Sequence, residues 1–444
     1  MNKLFAIKER YTLSIKINNQ SYQYKIYHFL FWSIFLTVAF LISSCTYPGG
    51  RGKVPEISLT IENPLPIKRT DVPIILKLDD LKKVADNFSL NMFRVTIADK
   101  SQDIPSQADD INYDGKRDEL VFLIDLEPQQ TKEIIIMYTP QDAAINPGYQ
   151  NMTITLGYPN RVQAGVFPEL KGIAWESELI MYRLPFNEST AVDVFCKETK
   201  GLSFAQLIAD IPTGRQTSMP IQPIGNWSGC GGFALWDGNS PQPPRGQGGE
   251  ILIPVDYQSN RYPRVIANGP IRTVVQVVFE NWKFRSDVLK VTSTFSIFGG
   301  QQWSKHHLKI EGNSTPIQIA TGLPQPENIK IIQNEKEGFI YTWGKQSNWS
   351  LSDELGLSII YPTNYFDSYK EPLFAKGIEK QIPSRAVILN LNEEGQLQYY
   401  FIAAWNRGEG GIKSEPDFAN LVKFTAAEIN APPIVKILPR ASAK

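Results

Sequence analysis

The sequence predicts an all-β protein: a small N-terminal β-sandwich, then a larger antiparallel two-sheet assembly, with one C-terminal helix. Three observations predict it. Stretches of alternating apolar and polar residues recur from about residue 55 to 412, the pattern of half-buried antiparallel strands. Turn formers separate them, with 31 Gly and 31 Pro spread almost singly along 444 residues. One segment, 415–430, carries a helical apolar stripe with start and stop signals.

Composition bounds the function. Apolar residues at 42 % and aromatics at 11 % belong to a folded chain. The 45 basic residues balance 45 acidic ones. Nucleic acid is therefore excluded as the main partner, because phosphate binding needs concentrated Lys and Arg. Three His and three Cys exclude Cys-rich zinc modules and disulfide-dense scaffolds.

Residues 1–45 read as a lipoprotein signal peptide. Lys3, Lys8, Arg10, Lys16 and Lys25 precede an uncharged stretch, 29–42. It is shorter than the ~20 residues that span a bilayer and suits a signal-peptide core. Ile42-Ser43-Ser44-Cys45 resembles a bacterial lipobox, whose cysteine receives lipid. An uncleaved anchor with Cys45 inert is the alternative. Residues 46–54 form a tether without the acidic run of surface-exported lipoproteins. The expected location is the cell envelope, lipid-anchored on the periplasmic face of the outer membrane. That compartment is oxidising. Cys196 and Cys230 could pair there, or sit apart as small buried hydrophobes.

Stretches 57–61, 72–78, 93–97, 120–126 and 133–138 read as the strands of the small sandwich, 55–140. Residues 141–190 read as a connecting segment with turns at Pro147-Gly148 and Pro159-Asn160. Over 191–435 the strands lengthen and exceed what one immunoglobulin-like unit needs. The helix at 415–430 has Ser414 as N-cap, Pro416 in the first turn and Asp417 three residues on. Phe418, Leu421, Val422, Ala426 and Ile429 share one face, and Pro432-Pro433 stops it. The stripe predicts docking on the sheets.

Three consecutive strands between 271 and 311 carry the strongest alternation. Val275, Val277 and Phe279 point one way, with Arg272, Gln276, Glu280 and Trp282 opposite. Leu308 and Ile310 point inward with His306, while Trp303, Lys305, His307, Lys309 and Glu311 point out. If the strands are neighbours, these polar sides form one surface of cations flanked by indoles. Sugars are bound this way: aromatic faces cover ring C–H groups and charged groups take hydroxyls. Excess Lys and Arg suit a carboxylated sugar. A plain solvated face is the competing reading. Adjacent residues on a strand face opposite sides. His307 is thus the candidate acid or base, and His306 a core histidine.

The segment 110–119 places oxygens of Asp110, Asn112, Asp114 and Asp118 at positions 1, 3, 5 and 9, with Gly115 at 6. This matches the front half of a Ca²⁺ loop, but position 12 is Val121. A structural Ca²⁺ site and a metal-free turn held by Asx hydrogen bonds both fit. No other cofactor is expected.

Several segments together resemble one bacterial family, domain of unknown function 4861. They are Pro105-Ser106-Gln107 with Asp109-Asp110 and Asp114-Gly115; Asp118-Glu119-Leu120-Val121-Phe122; Trp175-Glu176-Ser177 with Tyr182-Arg183; Gly231-Gly232-Phe233 with Leu235-Trp236-Asp237-Gly238; Gly269-Pro270-Ile271-Arg272; Trp343-Gly344 with Gln346-Ser347; and Ala404-Trp405. The resemblance spans about 55–435 and departs from the pattern at 200–225. It implies an envelope protein encoded beside polysaccharide-degrading enzymes, particularly those acting on uronate-containing glycans. It also implies a galactose-mutarotase-like super-sandwich with its site on the polar face of a concave sheet. Trp236 and Asp237 join the substrate-binding candidates on this ground.

The expected activity is processing of an acidic poly- or oligosaccharide by a lyase or glycoside-processing enzyme. In a lyase, Arg183 or Arg272 neutralises the uronate carboxylate and His307 or Tyr182 takes the C5 proton. In a hydrolase, the flanking carboxylates come from Glu176, Glu178, Asp237, Glu280 and Glu311. Non-catalytic glycan binding and sugar epimerase or mutarotase activity are the alternatives.

Overall fold

Alternation becomes strand pairing throughout the computed structural model. It describes residues 54–98, 102–140, 158–186, 190–210, 221–222, 229–240, 249–255, 258–326, 328–345, 353–371, 373–374 and 384–439. The leader with Cys45 lies outside the described residues.

The small sandwich forms from two sheets. In one, Glu56–Glu62 pairs with Thr131–Tyr138, which pairs with Phe93–Ile97. In the other, Arg69–Lys77 and Ser106–Asp109 flank Glu119–Leu126. Ile57, Leu59, Ile61, Ile74, Phe122 and Ile136 meet in its core. Glu119–Leu126 is buried on both sides: Leu120, Phe122 and Ile124 face that core, while Val121 and Leu123 face outward into a second cluster. Double burial explains why this strand reads as an apolar run and not as alternation.

The super-sandwich is built on an eight-stranded antiparallel sheet. Its order is Asn260–Asn268, Arg272–Phe284, Asp287–Phe298, Trp303–Glu311, Gln396–Trp405, Leu355–Ile360, Phe339–Gly344 and Ile331–Asn334. One face packs on a five-stranded and a six-stranded sheet through Trp175, Tyr182, Phe233, Val275, Phe295, Leu308 and Phe401. Residues 162–185, expected within a connecting segment, supply three strands of the five-stranded sheet: Val162–Phe167, Gly172–Ser177 and Ile180–Pro185. They are short and turn-broken, and the first two carry a glycine, which hid their periodicity. Cys196 and Cys230 are free thiols in the shared core, and burial raises both pKa values.

The C-terminal helix, Glu415–Asn430, is capped as its sequence predicts. The Ser414 hydroxyl donates to Asp417 Oδ2 (2.7 Å) and accepts from the Asp417 backbone N–H (3.4 Å). Phe418 seats against Gly356, where a Cβ would come within 2.6 Å of the ring. The helix thereby covers part of the sheet's second face, beside Tyr341 and Trp343. After Pro432-Pro433 the chain does not end its structure. Ile434–Ile437 returns to the sandwich and pairs with Glu56–Glu62. Four residues are too short a run for sequence periodicity to reveal.

His306 is a core histidine, as its inward phase predicts. Nε2 meets Ser293 Oγ at 2.7 Å, Nδ1 meets the Tyr399 hydroxyl at 2.6 Å, and the ring stacks on Phe295. Burial holds its pKa well below the usual value, with His307 adding to the effect. The unfolded chain therefore takes up a proton that the native state resists. Stability is present above about pH 6.5 and falls as pH drops below it, by up to about 1.4 kcal/mol per pH unit for this group. His307 contributes in the same direction. Denaturant unfolding between pH 8 and 5 is expected to show this slope, and His306→Gln to reduce it. An unchanged slope in the variant contradicts the assignment.

Candidate functional site

The candidate site lies on the second face of the eight-stranded sheet, where antiparallel register sets its residues in rows. Val274, Ser296, Lys305 and Tyr400 lie side by side on four neighbouring strands. The next row is Gln276, Thr294, His307 and Gln398. Each row exists because alternate residues share a face and paired residues sit opposite each other.

Two other elements roof one end of this face. Arg69–Lys77 of the sandwich stands over it on one side and the C-terminal helix on the other. Between them lies a cleft of about 410 Å³, lined by Val72, Ile75, Trp303, Lys305, His307 and Tyr400 among others. That volume falls in the range of small-molecule sites.

Ion pairs hold the roof. Arg272, 4 % exposed, donates through Nε to Asp109 Oδ2 (2.7 Å) and through Nη1 to Glu119 Oε2 (2.8 Å). The Gln107 amide accepts from the Arg272 backbone N–H (3.0 Å) and donates to its carbonyl (2.8 Å). Gly269 leaves room for that amide; a Cβ there would come 2.3 Å from Gln107 Cδ. Arg69 donates to Glu428 Oε1 (2.9 Å) and to the Ala431 carbonyl (3.1 Å), tying sandwich to helix. Arg161 joins Asp71 (2.6 Å) to Glu178 (2.6 Å) beside them.

Inside the cleft the groups are set apart by environment. Lys305 is half-buried and has no ion-pair partner among the described residues. Burial lowers its pKa, Glu119 opposes this, and Arg272 adds to the lowering. His307 Nε2 lies 3.1 Å from Gln396 Oε1. Burial lowers its pKa, the Gln396 bond partly opposes this and Lys305 adds to the lowering, which favours the neutral imidazole. With its Nε2–H given to Gln396, Nδ1 carries the lone pair. Burial pushes the Tyr400 phenol up to about 12, which keeps it protonated. The Trp303 indole packs against Phe298 and Tyr400.

The structure thus brings together Trp303, Lys305 and His307, and it separates the other candidates. Trp282 is fully buried on the core side. A bulge between Phe279 and Trp282, with Asn281 at φ +63°, reverses the phase of the strand there. Arg272 is on the predicted face but spent on the roof. Lys309 and Glu311 pair with each other in solvent (3.0 Å), outside the cleft. Tyr182 is buried in the core, where its hydroxyl donates to the Gln302 carbonyl (2.6 Å) and accepts from Ala403 N–H (3.0 Å). Arg183, on the same strand, pairs with Asp193 (2.9 Å). Glu176 is buried against Lys197 and accepts from the N–H groups of Ser203 (2.9 Å) and Phe204 (3.2 Å). Trp236 fills a satellite cluster of the six-stranded sheet, and Asp237 accepts from Arg285 (2.8 Å). None of these last five lines the cleft.

In the 110–119 loop, the oxygens turn to the loop's own backbone. Asp118 Oδ2 accepts from Ile111 (2.8 Å) and Asn112 (3.0 Å); Asp110 accepts from Asp114 (3.1 Å) and Gly115 (2.7 Å). Asp114 Oδ1 accepts from Lys116 N–H (2.8 Å). Among the described residues no three His, Cys, Asp or Glu side chains are grouped to hold a metal.

Sequence reasoning put Thr294 and Ser296 on this polar face, as observed, and missed Tyr400 and the roof. Tyr400 alternates outward on its strand, but only the pairing of 303–311 with 396–405 puts it beside Lys305. Arg272→Met would leave Asp109 and Glu119 without their guanidinium in a buried seam. Denaturant titration is expected to show a loss of about 3–5 kcal/mol. A loss below about 1 kcal/mol contradicts the clamp.

Among the curated proteins none matches the sequence. Solved structures similar to this chain include a protein in the glycosyl hydrolase family 38 from Enterococcus faecalis. It is 10 % identical at a TM-score of 0.49, over 88 % of this chain and 48 % of that one. An alpha-mannosidase from Enterococcus faecalis V583 is 11 % identical at 0.46, over 88 % and 46 %. The chain spans about half the length of either. Residues 61–435, from the first strand of the sandwich to the strand that returns to it, match one family throughout. The chain belongs to the family described as Domain of unknown function (DUF4861).

Proposed function

We propose that this protein is a lipid-anchored envelope protein that cleaves an acidic, uronate-containing oligosaccharide by β-elimination in the cleft. The observation that carries this reading is Lys305. Among the described residues it has no carboxylate partner, and it stands two residues from His307 on one strand, beside an indole wall. An anionic sugar supplies the missing counter-charge.

The steps follow from the groups present. Lys305 neutralises the uronate carboxylate, which acidifies the C5 proton. His307 Nδ1 takes that proton. Tyr400, the register partner of Lys305, gives its proton to the departing O4 as the C4–O bond breaks and the C4–C5 double bond forms. A hydrolytic reading is weaker here. The cleft carboxylates Glu119 and Glu428 are each tied to an arginine, whereas hydrolysis needs two that flank the bond. The Ile42-Ser43-Ser44-Cys45 motif supports the anchor, and Cys45→Ala is expected to move the protein from the membrane to the soluble fraction.

The test is incubation with a panel of acidic oligosaccharides. New ultraviolet absorbance from an unsaturated uronide is expected. His307→Ala should lower kcat at least about 100-fold. The rate should rise with pH through a value below about 6.5 and then level off, because the base works deprotonated. Retention of the sugars without any new product makes the cleft a binding site and overturns the elimination.

A further inference from the structure

The same sheet face runs past the cleft to its edge strand, Asn260–Asn268. There Arg264 lies opposite Gln276 and Tyr262 opposite Val278. From the sandwich, the 110–119 loop reaches across. Ile111 packs on Ile266, Ala267 and Val274, and the Arg264 guanidinium carbon lies 5.0 Å from the Tyr113 ring centroid. Tyr113 and Tyr262 are 55 % and 51 % exposed. Tyr113 also sits at φ +63°, a conformation that bulky residues adopt only under constraint. The Asx hydrogen bonds of the loop supply that constraint.

Arg264 differs from most arginines around the two modules. Arg69, Arg161, Arg183, Arg272 and Arg285 each hold a carboxylate. Arg264 instead donates to the neutral Gln276 amide (2.9 Å), which donates on to Thr294 (3.0 Å). It has no acidic partner among the described residues. Arg264, Gln276, Thr294 and His307 form one continuous row across four strands. At strand spacings of 4.7–4.9 Å, Arg264 stands about 14 Å from His307.

We infer that Tyr113, Arg264 and Tyr262 form an outer subsite for a second carboxylated sugar of the same chain. The substrate is then an extended acidic oligosaccharide lying along the row, not a free sugar. Arg264 keeps Nε and Nη2 on Gln276 and offers Nη1 to the carboxylate, and the phenol rings cover C–H faces. This rests on the reading of the cleft as a glycan site. It also gives the 110–119 loop a task, the display of Tyr113.

Calorimetry on the full chain with graded ladders of oligogalacturonates and oligomannuronates, from the disaccharide upward, tests it. Wild-type affinity is expected to rise with length. Tyr113→Ala and Arg264→Met should each weaken the long oligomers about tenfold and leave the disaccharide unchanged, while Tyr113→Trp keeps the length dependence. Lys305→Met should weaken every length. Variants that bind long oligomers as the wild type does, or that lose all lengths equally, overturn the outer subsite and leave the cleft reading standing. A wild type that binds no member of either ladder overturns both.

Discussion

The buried guanidinium of Arg272, held between Asp109 and Glu119, is the constraint on which the cleft depends. A charge so deeply placed is stable only when paired. Its two carboxylates come from the sandwich, while Arg272 begins a strand of the eight-stranded sheet. Satisfying the charge therefore fixes one module on the other, and fixing the modules creates the roof. The same pairing removes Arg272 from substrate chemistry. Lys305, near enough to feel both Arg272 and Glu119, is left as the cation that a ligand can reach.

Much of this architecture was legible in side-chain phase. Alternation along 303–311 separated His306 from His307 and placed Trp303 and Lys305 with the latter, as observed. The C-terminal helix declared its cap and its buried face. Phase failed where one extra residue entered a strand: the bulge at Asn281 sent Trp282 into the core, and nothing local in the sequence announces a bulge. It also failed wherever burial came from distant chain. Tyr182 and Arg183 look like functional neighbours of Glu176, but Tyr182 bonds core backbone, Arg183 pairs with Asp193 and Glu176 pairs with Lys197. A clue to the roof was present in the Glu119–Leu126 strand. Its unbroken apolar run required cover on both faces, and the second cover is the large sheet.

The elements around the cleft reinforce one another. The helix is pinned to the sandwich by Arg69 and Glu428, and the chain beyond it joins the sandwich as a strand. Burial raises the Glu428 pKa and the guanidinium opposes it. Sheet, sandwich and helix therefore constrain three sides, and the row through His307 continues by way of Thr294 and Gln276 to Arg264 on the edge strand. That geometry suits a chain-like ligand threaded along a polar track more than a compact one enclosed in a pocket.

The most direct measurement is a crystal structure of the full chain with an acidic oligosaccharide bound. The account predicts a sugar ring against Trp303, with its carboxylate within hydrogen-bond distance of Lys305 Nζ and its C5 facing His307 Nδ1. A sugar bound instead on the outer faces of the five- or six-stranded sheets, with the cleft holding only water, would contradict it.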